Sequence, residues 1–158
     1  LRPNPLPGHP RKDRELRYDT VMKLYHLLEE FSYSANHADM IIKKIKGIQD
    51  PAVLKKLENY REIFEEYHQG IVQHGGLMTG EKLREKLADL YSSIISYSGK
   101  PTRAQIYNHA VLQKEVQRAE ARFQGLVNKY LPRINRLLAK ENLATISLPS
   151  KQEYLNQR

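Results

Sequence analysis

A chain of 158 residues is long enough for one hydrophobic core and too short for two independent ones. Its 40% hydrophobic and 28% charged residues, with a mean hydropathy of −0.67, suit amphipathic helices, and no apolar run nears the roughly 20 residues that span a bilayer. The absence of cysteine excludes disulfides, thiolate metal sites and cysteine nucleophiles, whereas the net charge of +8 favours anionic partners in general without naming one.

The chain opens at Leu1 without a charged-then-apolar leader, which leads us to expect a piece of a longer polypeptide. Residues 1–12 carry prolines at positions 3, 5, 7 and 10 and read as an extended linker. Helix 1 is expected over about 13–47, where Val21, Leu24, Leu28, Phe31, Ala35, Ala38, Ile42 and Ile45 alternate in steps of three and four before Gly47. Asp50-Pro51 is an N-cap followed by proline in the first turn, so helix 2 begins at once and runs over about 51–70 on Val53, Leu57, Tyr60, Phe64, Tyr67 and Ile71. A loop holding Gly70, Gly75, Gly76 and Gly80 leads to helix 3, about 80–98, with Leu83, Leu87, Leu90, Ile94 and Tyr97 inward and Ser98-Gly99 after it. Thr102 and Gln105 form a capping box for helix 4, about 102–142, whose seam is Leu112, Val116, Ala119, Phe123, Leu126 and Tyr130. Pro132 lacks the amide that would bond the Asn128 carbonyl, so the helix is expected to kink or break there and redirect a segment carrying Leu131, Ile134 and Leu138.

Two tight links and one longer loop imply an all-α, up-down-up-down four-helix bundle over residues 13–143, with left-handed twist and crossing angles of about 20°. Helices 1 and 4 are longer than helices 2 and 3, and that topology puts both surpluses at one end. The expectation is a two-helix extension pairing Leu16–Leu24 with Leu131–Leu138, its flanks covered by the leader, by the tail of residues 144–158 or by another domain.

No motif carries chemistry. Gly75-x-x-x-x-Gly80 is followed by Glu81-Lys82 where a phosphate-binding loop needs Lys-Ser/Thr, and no strand precedes it. Glu65-x-x-His68 has the spacing used in bundle di-iron sites, but no second copy exists elsewhere. His26, His37, His74 and His109 form no other ligand spacing. The adjacent pairs Glu29-Glu30 and Glu65-Glu66 diverge on their helices, and the serines of helix 3 lie in no nucleophile elbow. We therefore expect no catalytic residues, cofactor or metal. The cations Lys129, Arg133, Arg136 and Lys140 near the end of helix 4, and Lys43, Lys44 and Lys46 near the end of helix 1, suit helix C-termini without any ligand. A nucleic-acid module would interleave aromatics with a basic groove, and most of the ten tyrosines fall on or beside the seams.

Asn36-x-Ala38 with Ile41, Ile42 and Ile45, then Pro101-Thr102-x-Ala104-Gln105, then Leu131-Pro132-x-Ile134-Asn135-x-Leu137-Leu138 stand in an order with a known counterpart. Over about Pro10 to Leu143 the chain resembles the C-terminal helical domain of exported bacterial proteins built on a sortilin-like, Asp-box-repeat β-propeller, often labelled glycosyl hydrolases. His9-Pro10-Arg11 stands where the family has Asp-Pro-Arg, Asp39 where isoleucine is usual and Lys46 where arginine is usual. The resemblance implies periplasmic, cell-surface or secreted placement and an accessory role, with any hydrolase chemistry on the propeller. The expected function is thus non-catalytic interdomain packing or protein–protein interaction. The expected surface is Val21, Leu131, Ile134 and Leu138 with a rim of Arg133, Arg136 and Lys140. The alternative is an electrostatic binder of an anionic polymer, either nucleic acid or acidic glycan.

Overall fold

The computed structural model describes residues 10–71 and 82–156. These residues form five helices and no strand: α1 (Arg11–Lys46), α2 (Pro51–Ile71), α3 (Leu83–Ser96), α4 (Arg103–Lys140) and the short α5 (Lys151–Asn156). Local signals account for the starts. Asp50 Oδ1 accepts from the amides of Ala52 (2.8 Å) and Val53 (3.4 Å), and Thr102 and Gln105 exchange reciprocal capping bonds of 2.9 and 3.1 Å. Gly47 follows α1 in ordinary right-handed geometry, φ −76°. Left-handed backbone appears instead at Asn142, φ 56°, where Leu143 N–H donates back to the Leu138 carbonyl (2.9 Å) and closes α4 with a Schellman-type turn. The glycine motif at Gly75–Gly80 and the residues expected to open helix 3 before position 82 lie outside the described residues.

The four long helices share one core, but not in up-down-up-down order. Arg17 on α1 reaches the carbonyls of Ile94 (3.2 Å) and Ile95 (2.6 Å) at the end of α3, and the Lys23 carbonyl meets the His109 ring near the start of α4. Farther along, the rings of Tyr33 and Phe123 meet at 6.2 Å, and Ile45 and Leu138 line one cleft. Helices α1 and α4 therefore run parallel. Tyr67 and Tyr60 meet Phe123 and Tyr130 respectively, and Lys86 meets Glu115, so α2 and α3 both run antiparallel to α4. Each packs on α1 and on α4, while α2 and α3 make at most a marginal contact with each other. They lie one after the other along the groove between the long pair, their ends meeting where His68 and Arg84 line one pocket.

This arrangement gives the unequal lengths another cause: α1 and α4 are long because each spans two shorter helices in series. The expected two-helix extension is absent, since Leu16–Leu24 faces the end of α3 and the start of α4 while Leu131–Leu138 lies at the other end. Pro132 interrupts neither α4 nor its seam. Val127 and Tyr130 are half-buried, and Ile134 and Leu138, 0% and 3% exposed, continue the stripe of Leu112, Val116, Ala119 and Phe123. The missing amide bond falls on an exposed stretch, where water can satisfy the Asn128 carbonyl.

Candidate functional site

The seven residues expected to form one surface do not meet. Val21 lies near the start of α1, level with the start of α4, so Ile134 is roughly 35 Å away at 1.5 Å per helical residue. Ile134 and Leu138 belong to the core, and Leu131 is half-buried against it. Only Arg133, Arg136 and Lys140 face solvent, in a stripe with Lys129, and none of those three is in an ion pair among the described residues.

Most of the exposed large apolar side chains lie elsewhere, Leu143 excepted. Leu16, Tyr18 and Tyr25 on α1, Ile95 and Tyr97 at the end of α3, and Ile106, Tyr107 and Val111 on α4 are all exposed, Tyr107 by 70%. The Arg17 bonds to α3 and the Lys23–His109 contact place these segments at one end of the molecule, where Pro10 leads into α1. Position-by-position seams did not reveal this cluster, because its members sit off the seams. The signal in the sequence is the surplus of apolar residues at Leu16, Ile95 and Ile106 beyond what a single stripe needs.

A second feature is the C-terminal segment. After Asn142 the chain turns back along the face of α1 and α4 opposite α2. Asn135 holds Ile146 by both backbone groups: its Nδ2 donates to the Ile146 carbonyl (2.8 Å), and its Oδ1 accepts from the Ile146 amide (2.7 Å). The Ile146 side chain is 3% exposed. Tyr33 Oη donates to the Pro149 carbonyl (3.2 Å), and Lys151 Nζ lies 2.8 Å from Glu120 and 3.6 Å from Glu30. Ser150 and Glu153 then cap α5, which crosses α1 so that Tyr154 stacks on Tyr33 and His37 and accepts from Asn36 Nδ2 (2.7 Å). The expected cover for the flanks of a two-helix extension falls with that extension; residues 144–156 instead pack along α1 and α4.

The titratable candidates are engaged in structure. Glu65 is gripped by Lys46 (2.6 Å) and Arg61 (2.8 Å), and the Lys46 hydrogen bond leads in holding its carboxyl below the usual range. Burial pushes His68 down, with Asp39, Lys43 and Arg84 around it. Tyr67 is buried, and desolvation raises its phenol to about 12 while its hydroxyl donates to the Ala119 carbonyl at 2.9 Å. His26 pairs with Glu29 (3.3 Å), and Ser93 and Ser96 bond carbonyls of their own helix. Among the described residues no group of three or more His, Asp or Glu is placed to hold a metal ion. Comparison of the chain with protein-family models, with curated proteins and with solved structures returned no match.

Proposed function

We propose that the chain is a non-catalytic helical accessory domain that packs on a neighbouring domain or a protein partner through its apolar end. The observation that carries this reading is the collection of Leu16, Tyr18, Tyr25, Ile95, Tyr97, Ile106, Tyr107 and Val111 at one end of the molecule. So many exposed apolar side chains at one end cost solubility unless something covers them. Pro10 leads into α1 at the same end, so a domain joined before it would start close to this surface. The resemblance carried by Asn36-x-Ala38, Pro101-Thr102 and Leu131–Leu138 extends the proposal: the parent is an exported β-propeller protein of glycosyl-hydrolase type, and the chain serves it outside the cytoplasm.

The test is a pulldown of the chain with the remaining domains of its parent polypeptide, combined with light scattering. Capture that is lost on replacing Ile106→Lys and Tyr107→Glu together is the expected result. An inert monomer that captures nothing would sink the reading.

One observation favours a second reading, an electrostatic binder of nucleic acid or acidic glycan. The stripe of Lys129, Arg133, Arg136 and Lys140 is exposed, and its last three members lack carboxylate partners among the described residues. Filter binding should then weaken steeply with salt, and Arg133→Glu with Arg136→Glu should flatten that slope. Salt-independent retention, unchanged by the reversals, would count against it.

A further inference from the structure

The groove between α1 and α4 holds its own tail in a manner suited to reading a peptide. A helix has no free backbone groups along its length to offer an extended chain, so backbone recognition on a helical face needs a side-chain amide, which donates and accepts at once. Asn135 does this to Ile146. Around it stand a buried seat for the Ile146 side chain, the Tyr33 hydroxyl on the Pro149 carbonyl, and the carboxylates of Glu30 and Glu120 facing Lys151.

The tail does not fill the groove. At Lys151 it turns into α5 and crosses α1, while the groove continues past Glu30 into a cleft of about 430 Å³ lined by Lys23, His26, Leu27, Glu30, His109 and Gln113. His109 Nε2 is buried there and makes no hydrogen bond of ordinary geometry, and the Lys23 carbonyl lies beside the ring. A buried nitrogen without a well-formed hydrogen bond is a cost that a ligand's hydrogen-bonding group would remove.

We infer that this groove is a peptide-binding site, occupied in the free protein by residues 144–151 and able to accept an extended partner segment in their place. The partner presents a branched apolar residue whose backbone pairs with Asn135, a cation five residues later for Glu30 and Glu120, and a hydrogen-bonding group beyond it for His109. The proposal goes beyond the apolar end and does not depend on it. Because the tail is tethered at Leu143, it competes at an effective concentration on the order of millimolar. The contacts past Glu30 are what let a partner displace it.

The probe is a fluorescein-labelled peptide ATISLPSKQEYLN, residues 144–156, titrated by polarisation into the full chain. Binding should be at least ten-fold tighter to Lys151→Glu and to Ile146→Asp chains than to the unsubstituted one, since both loosen the resident tail. Adding Asn135→Ala to Lys151→Glu should weaken binding at least ten-fold again. Lys151 is a third exposed, so that variant keeps the test alive if Ile146→Asp does not fold. Absence of binding to a Lys151→Glu chain of unchanged helical circular dichroism overturns the proposal, as does equal binding with Asn135 present or replaced. A dimer of the unsubstituted chain that Asn135→Ala converts to monomer would identify a second copy's tail as the occupant and also overturn it.

Discussion

Tyr67 concentrates the energetics of the core in one side chain. Its ring lies 5.7 Å from that of Phe123, its hydroxyl bonds the Ala119 carbonyl, and it is fully buried, so it ties α2 to α4 through both packing and a hydrogen bond. Replacing Tyr67→Phe keeps the ring and removes the bond, with an expected loss of about 1 kcal/mol in urea unfolding. Phe123→Ala removes the ring that Tyr33 and Tyr67 both contact and should cost roughly 3–5 kcal/mol. Two histidines make stability depend on pH. Burial lowers both His68 and His109, so the unfolded chain takes up protons at these positions before the folded one does. Their contribution is complete above the unfolded value of about 6.5 and declines as pH falls through the window below it. The thermal midpoint should therefore drop between pH 7.5 and 5.5, and less so in a His68→Gln, His109→Gln chain. An identical pH dependence in both chains would show that these sites do not contribute.

At the scale of the element, α4 is the informative case. The periodicity from Leu112 to Tyr130 was legible, and so were Thr102 and Gln105 as its cap. The unshifted continuation of its buried stripe past Pro132 was not. A proline in a helix interior usually ends it because a hydrogen bond is lost and the ring crowds the preceding turn. Here Ile134 and Leu138 are so well buried that packing outweighs the local cost, and the exposed position of Pro132 leaves the unbonded carbonyl to water. Pro132→Ala should accordingly stabilise the protein by roughly 1–3 kcal/mol, read as a raised thermal midpoint. A lower midpoint would mean that proline shapes the packing of Ile134 and Leu138. Asn135 shows a different limit: a polar residue on the flank of a seam reads as solvated surface, and only the returning tail gives it a partner.

For the molecule as a whole, parallel α1 and α4 are the property to test. Lys44 and Lys140 lie at the same end, whereas an up-down-up-down order would separate them by roughly 45 Å, the rise of some 30 helical residues. Because the chain has no native cysteine, spin labels placed at Lys44→Cys and Lys140→Cys report this distance directly. A short separation is expected, and a long one would restore the alternating bundle. The apolar end belongs to the same scale, since its residues come from three helices that only tertiary packing brings to one end.

Periodic apolar spacing, capping residues and breakers by themselves determined the helical class, the four long helices to within a few residues and most of the buried side chains. These signals are local, set by hydrogen bonding and side-chain direction within a turn or two. Tertiary structure alone decided that α2 and α3 lie in series, that the tail enters the α1–α4 groove, and which apolar residues remain outside. Connection length cannot distinguish a helix that turns back beside its predecessor from one that carries on along the same groove. That choice rests on the total apolar area buried against α1 and α4, and it moved Val21 and Leu131–Leu138 from one shared surface to opposite ends of the protein.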